Sequence, residues 1–518
     1  MSRIDISRRR FLESSAAAAA ASTLPLGAVH AQGAKYVRYN ATSQEGQAML
    51  ASYDRAIQKL LSLPVSDPRN WFRNSFIHTL DCPHGNWWFF VWHRPYVGYF
   101  EQTVREFSGN PNFAFPYWDW TQLPAIPGTM FKGALTPTSP YFNPYISSFD
   151  TFRKFIGTSL DQYWKDPAQA QQLQIRQMPT QDDLWKQVTG NPMFAVTSKA
   201  RWITAQNPAL DPNVAKMCDA SHIRDGLAPT TFIPFNSQIT PSHTTPPGQG
   251  QVFGLLEGLP HNNVHNNVGG AINGNPSSVY GYMQDNLSPV DPLFMLHHSN
   301  MDRLLQVWND KQSALKLPYV PENRAQYDHW ANDVFLFYIN SQGQRVTQVR
   351  AGSYIDIGPF NYAYQPSGAQ LLAAGAKHKA LNAKFAGKTQ RGQGSVAIAG
   401  ALAEALGSAS TRTVVAQVTV PHPGANGPRN YDVTVNAPPG AKITADSPYY
   451  VATIAFFGNM PGMSGMDMTF TVPITELRGT LKSKHANALN FQVTPQGKAP
   501  LVLGKAAPLL KSVSVEVW

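Results

Sequence analysis

A chain of 518 residues is too long for one hydrophobic core, so two domains with small appendages are expected. The composition is 43% hydrophobic, 11% aromatic and 14% charged with 41 prolines, which describes a globular protein with long ordered loops. The formal charge of +10 comes from scattered basic residues without a dense run among aromatics, and beyond the N-terminus no run of about 20 apolar residues occurs. Neither nucleic-acid binding nor a membrane span is expected.

The chain opens with "ISRRRFLESSAAAAAASTLPLGAVHAQG". Ser7 to Leu12 resembles a twin-arginine export signal, followed by an Ala-rich segment and a V-x-A site ending at Ala31. Residues 1–31 are expected to be a leader, and the mature protein to be periplasmic or secreted. Further on, "SDPRNWFRNSFIHTL" has helical spacing, with Ser66 or Asp67 as cap and Pro68 at the first position. It carries His78. His84 and His93 follow nine residues apart, about 900° of helical rotation and half a turn out of phase. They cannot share one straight helix face. His84 is therefore placed in the loop "CPHGN", and His93 on a helix starting at 91–94, because Pro95 is tolerated only in a first turn.

Residues 121–250 are rich in Pro, Gln, Asn and Thr and are read as long loops with a few helical turns. "PHNNVHNN" then sets His261 and His265 at i and i+4, one face of a helix and about 6 Å apart. In "SPVDPLFMLHHSNMDRLLQVWND", Asp291 is the cap and Pro292 the first position of a helix carrying His297 and His298. Adjacent helical residues diverge by about 100°, so only one of that pair should reach a metal. The other is expected to anchor by hydrogen bonding. The stretch 366–411 is small, basic and aromatic-poor, as a linker is. After it come six alternating segments, from "TRTVVAQVTVPHP" to "LKSVSVEVW", which predict an antiparallel β-sandwich over 412–518. The expected fold is thus a mainly α domain over 32–365, a linker, and the sandwich.

Two windows each supply three histidines, and neither supplies a carboxylate at comparable spacing. Neutral imidazoles suit zinc, copper, iron or nickel. Two all-imidazole triads favour a pair of redox copper ions, with a catalytic three-histidine zinc site as the alternative. A histidine in an aromatic segment is usually a satisfied core residue, but six in this arrangement are not explained that way. Cys82 and Cys218 are the only cysteines and, in an exported protein, one disulfide between them is an open reading.

"H-x₃-C-x-H-x₈-HR" at 78–94, "FPYWDW" at 115–120, "H-N-x-x-H" at 261–265 and "DPxFxxHHxxxDR" at 291–303 together resemble the type-3 copper family of tyrosinases, catechol oxidases and molluscan haemocyanins. The resemblance implies a helical bundle around two copper ions. His78, His84 and His93 would hold CuA, and His261, His265 and His298 would hold CuB, with His297 beside them. It implies a thioether from Cys82 to His84, aromatic packing of Phe90 and Phe294 on the ligand rings, and structural ion pairs for Arg94, Asp302 and Arg303. It implies a phenol oxidase that takes O₂ as co-substrate, hydroxylates monophenols at the ortho position and oxidises o-diphenols to o-quinones. Glu257 and Asn262 match the pair thought to hold a water that takes the phenol proton; a dipole-favoured helix-start residue is the other reading of Glu257. The alternatives are a catechol or o-aminophenol oxidase and an oxygen carrier of haemocyanin type. Tyr282, Met283, Asp285 and Asn286 are placed at the substrate entrance, with Asp285 selecting amine-bearing phenols. Tyr362 and Tyr364 resemble the tyrosine motif that closes plant and fungal catalytic domains and pairs with an arginine, here Arg38. The β-domain resembles a shield that inserts a side chain over the active site. "MPGMSGMDM" at 460–468 is either a Cu(I)-acquiring loop or a flexible apolar turn.

Overall fold

The computed structural model describes residues 34–518, apart from 190–200, 247, 249, 271–280, 348, 366–382, 391–392, 408–409, 425–426, 439–440, 459–462, 479–480, 482–485 and 497–508. The expected leader lies outside these residues. No helix among them is long and apolar enough to cross a membrane.

Five helices position the site: α1 Gln44–Ser62, α2 Trp71–Asp81, α3 Phe89–Ser108, α4 Asn262–Gly269 and α5 Leu293–Ala314. α2 begins later than its cap signal suggested. Asn70 accepts the Phe72 N–H at 3.0 Å, while Asp67 is taken up by Arg69 at 2.8 Å in the turn before. α5 begins at Leu293, one residue after the expected start, with Pro292 at the cap position and Asp291 accepting the Leu293 N–H at 2.9 Å. α3 corrects the sequence reading. It starts at Phe89, ahead of 91–94, and Pro95 lies in its second turn. The proline removes the bond that the carbonyl of residue 91 would receive. The helix runs through it because nearly all its residues from 89 to 98 are buried among aromatics. Between 121 and 250 there is more helix than expected, including Phe149–Leu160, Pro167–Ile175 and Ala220–Leu227.

The strands are β1 Tyr36–Arg38, β2 Gln251–Phe253, β3 Tyr362–Tyr364, β4 Ala383–Ala386, β5 Lys388–Gln390, β6 Gln393–Ala397, β7 Val414–Pro421, β8 Asn430–Val435, β9 Tyr450–Ala455, β10 Asp467–Pro473, β11 Ala488–Pro495 and β12 Ser512–Val517. Two five-stranded sheets, ordered β2-β10-β7-β12-β4 and β5-β6-β11-β8-β9, form the C-terminal domain. All six strands expected from residue 412 onward are present. The linker expectation for 366–411 needs correcting over 383–405, where β4 to β6 and the helix Gly400–Ala405 form. Their small residues hid the alternation. Gly394 on β6 has no side chain because a Cβ there would lie 2.5 Å from Val513 of β12. β2 comes from the helical domain and adds to the β-domain in parallel with β10.

A buried ion network closes the helical domain. Asp302 on α5 takes Arg94 of α3 at 2.5 Å and Arg38 of β1 at 2.9 Å. Arg38 also pairs with Glu101 at 2.8 Å, and the hydroxyls of Tyr362 and Tyr364 on β3 donate to Asp302. Arg303 pairs with Asp119 of "FPYWDW" at 3.2 Å. The tyrosine–arginine pairing and the structural ion pairs are therefore present.

Candidate metal centre

His78 lies in the last turn of α2, His84 in the loop after it, and His93 in the second turn of α3. One ligand atom from each, with Cys82 Sγ, falls within a 4.8 Å cluster. His261 ends the π-helical turn Glu257–His261, and His265 follows in α4. With His297 and His298 of α5 they form a second cluster of the same dimension. The two face each other: His93 and His298 stack at 4.1 Å, and His84 lies 5.8 Å from His261.

Four rings are held in one tautomer. Nδ1–H of His78 donates to the Asn286 carbonyl at 2.6 Å, and that of His93 to Phe89 at 2.7 Å. Nδ1–H of His265 donates to the Met283 carbonyl, and that of His261 to Asn262 Oδ1 at 2.8 Å. Each bond leaves Nε2 as a lone pair, the arrangement by which proteins orient metal-binding imidazoles. Nε2 of His78 and of His261 are buried without a hydrogen-bond partner, and those of His265 and His298 lie 3.2 Å apart. Burial lowers His78 and His261 to about 3 and holds the other four well below the usual imidazole value, so all six are neutral. Buried, proton-free, convergent nitrogens without carboxylates fit two copper ions.

His297 departs from expectation. Neither ring nitrogen has a hydrogen-bond partner; the ring packs on Trp120 at 5.0 Å and His265 at 4.6 Å. Phe294 stacks on His298 at 4.0 Å as expected. Phe90 does not touch a ligand ring: it stacks on Phe235 at 5.0 Å, and Phe89 takes the expected role, 4.6 Å from His93 and 4.7 Å from His261. Phe89 and His93 are i and i+4 and share a face, whereas Phe90 is turned about 100° away. Asp285 is 3% exposed in this structure. Met283 and Asn286 of the same segment back the ligand rings of His265 and His78 through their carbonyls. Of that segment, Asn286 lines the cleft over His84.

Cys82 and Cys218 are both buried free thiols, so the disulfide reading does not hold. Cys82 Sγ is 3.8 Å from each ring nitrogen of His84. It is 3.3 Å from His93 Nε2, and burial raises its pKa well above the usual thiol range, which disfavours a thiolate ligand. The His84 loop is held from outside. Glu257 accepts the Gly85 N–H at 2.6 Å, and Gln251 donates to the His84 carbonyl at 2.8 Å. Gly85 has φ +65°, and a Cβ there would collide with Gln251. The second Glu257 oxygen accepts from Ser237 at 2.5 Å; burial raises the carboxyl to about 8. Asn262 donates to the Ala455 carbonyl of β9 at 2.9 Å.

Phe457 follows β9 and was not identifiable from the sequence. Its ring lies 4.8 Å from His84 and 4.4 Å from His265, across both clusters.

Comparison with known proteins agrees with this geometry. A profile for the twin-arginine translocation pathway signal sequence matches residues 5–25. A chloroplastic polyphenol oxidase of Spinacia oleracea is 26% identical over 344 residues, covering 62% of this chain and 45% of its own length. A tyrosinase of Hahella sp. (strain CCB-MM4) is 26% identical over 294 residues, covering 50% of each. The chain thus spans about half the length of the curated relatives it matches. Latent apple tyrosinase superposes with a TM-score of 0.54 at 16% identity, covering 93% of this chain and 96% of that one. A functional unit of octopus haemocyanin superposes with 0.53 at 16% identity, covering 93% and 99%. The profile for the common central domain of tyrosinase matches residues 28–311, more than half of the chain and both histidine clusters, and the chain belongs to the tyrosinase family.

Proposed function

We propose that this chain is an exported copper-dependent phenol oxidase, periplasmic or secreted. It uses O₂ to hydroxylate monophenols at the ortho position and to oxidise o-diphenols to o-quinones. The observation that carries the reading is the pair of facing imidazole sets with their nitrogens pinned toward each other. His78, His84 and His93 would hold one copper, and His261, His265 and His298 the other. Bound copper supplies the oxygen and electron-transfer chemistry. The chain's own residues fix the ligands, exclude water and manage protons. Phe89 and Phe294 wall the site on two sides. Phe457 occupies the place over the histidines that a phenol ring would take, so the β-domain acts as a shield and the structure is of a latent form.

The Cys82 thiol, 3.8 Å from both ring nitrogens of His84, supports a thioether between Cys82 and that ring. Among the described contacts, His84 is the CuA histidine without a carbonyl anchor at Nδ1, and the tether would fix it. Intact-mass measurement of the oxidised holoenzyme should show the loss of two hydrogens, and an unchanged mass would remove the assignment.

Glu257 is assigned to hold, with Asn262, the water that takes the phenol proton. Both of its oxygens and both ends of the Asn262 amide are bonded in the latent form, and the Ala455 contact belongs to the β-domain. Releasing that domain frees the Asn262 amide nitrogen, while its oxygen stays on His261. The same saturation favours the second reading, an o-diphenol or o-aminophenol oxidase without monophenol activity. Glu257→Gln tests this on enzyme freed of its shield. Tyrosine turnover is expected to fall by about two orders of magnitude, the usual scale of a positioned base, with catechol turnover kept. Equal retention of both would show that Glu257 only braces the His84 loop.

A further inference from the structure

Copper has to reach a centre that the fold closes. Of the residues in the two clusters, only His84 is partly exposed; the rest are buried. The cleft above it has a volume of about 20 Å³ and is lined by Phe457, Asn286, His422, Met463 and Met468 among others. That is just above the roughly 10–15 Å³ one water needs. Small-molecule sites span roughly 300–1,000 Å³. The cleft therefore has room for a water-sized species and none for a phenol.

Its chemistry is also selective. Both methionines belong to the β-domain. Met468 sits on β10, and Met463 in the turn before it. The turn is fixed where the Gly465 N–H donates to the His422 carbonyl at 2.9 Å and the His422 N–H donates to the Met466 carbonyl at 2.7 Å. Both methionines are buried although they line an opening. Thioethers are soft ligands that choose Cu(I) over harder ions. His422 borders the cleft without being a ligand: its Nδ1 accepts the Gly424 N–H at 3.1 Å, so Nε2 carries the ring proton.

We propose that Met463 and Met468 form a Cu(I) relay that takes the ion through the closed shield and passes it to His84. The step is a ligand exchange. Copper–sulfur contacts break as a copper–nitrogen bond forms, and copper enters and leaves the relay as Cu(I), so no electron moves. The relay goes beyond the phenol oxidase reading and needs only the histidine centre as its destination.

The test uses the full-length apoprotein, without oxygen, with Cu(I) supplied from a chromophoric Cu(I) chelator whose colour reports transfer. Leucine keeps the volume of methionine and removes the sulfur. In the Met463→Leu/Met468→Leu protein, Cu(I) uptake should be slower by about ten-fold or more, as soft-ligand selection implies. The final content should remain two copper ions per chain. Zn(II), which prefers nitrogen, should load at the wild-type rate. Met463→Leu alone, at the less buried position, should give an intermediate rate and guards against a packing defect at Met468. Wild-type Cu(I) rates in the double variant would overturn the relay, and so would equal slowing of Zn(II), which would assign the effect to cleft shape. Fewer than two copper ions in the wild-type protein would overturn the dicopper centre itself, an outcome separate from the rates.

Discussion

His243 shows how one side chain outside the centre can set the stability of its support. Its Nε2 lies 2.9 Å from Asp81 at the end of α2, and its Nδ1 3.0 Å from Asp333. Asp81 also accepts the Trp92 indole N–H at 2.9 Å and directly precedes Cys82. Burial alone would lower the imidazole, but the two carboxylates outweigh it and raise it to about 9. The folded value lies above the ordinary value of about 6.5. The stabilisation is therefore complete below about 6.5 and is lost as pH rises through about 9, on the order of 3 kcal/mol in all. Denaturant unfolding at pH of about 6 and about 10 should show that loss, and His243→Gln should show a much flatter response. Equal slopes for the two proteins would mean the clamp carries no charge. Nothing in the sequence marks this residue, because Asp81 and Asp333 are brought to it only by the fold.

At the level of elements, the sequence is informative where chemistry repeats at a fixed spacing. His261 and His265, Asp291 at the head of α5 and the six alternating strands of the β-domain all stand where periodicity puts them. Single residues are weaker guides. Pro95 by itself points to a helix start at 91–94, yet burial of α3 on nearly every side outweighs one lost backbone bond. The family resemblance points to Phe90, whereas i,i+4 geometry from His93 points to Phe89. Ser66 and Asp67 are good caps, but Asn70 sits next to the first buried residue of the helix and wins. The strands at 383–397 were hidden because Gly, Ala and Ser give almost no hydrophobic alternation; their partners lie about a hundred residues away in β11 and β12. Phe457 and the carbonyls of Met283 and Asn286 are legible only in three dimensions. A phenylalanine in a strand-end "AFFG" carries no signal of what it covers.

For the whole molecule, the position of Phe457 makes the proposed latency a question of one ring and one domain. The ring blocks the histidine pair, and the segment that carries it is tied to the helical domain where the Gly458 N–H donates to the Gln284 carbonyl at 3.3 Å and Arg429 to the same carbonyl at 3.0 Å. Phe457→Ala should leave the domain seated and open space for a phenol. A site open only in a minor fraction of molecules loses apparent affinity by that fraction, so kcat/KM for catechol should rise by about ten-fold or more in the uncleaved variant. If it stays at the latent level while cleavage activates, the domain blocks access by its bulk rather than through this side chain.

β2 sits just ahead of Glu257 in the chain, yet it completes the edge of the C-terminal sheet, Gln251 opposite Met468 and Phe253 opposite Phe470. The shield is therefore not a cap resting on a surface; it is stitched to the helical domain by a shared backbone ladder. Any event that lifts it must unzip that ladder, leaving β10 with a bare edge and β2 without a partner. Open strand edges of this kind recruit other chains. Activation and self-association would then spring from the same broken bonds, and the latent form is the one in which this edge is kept occupied.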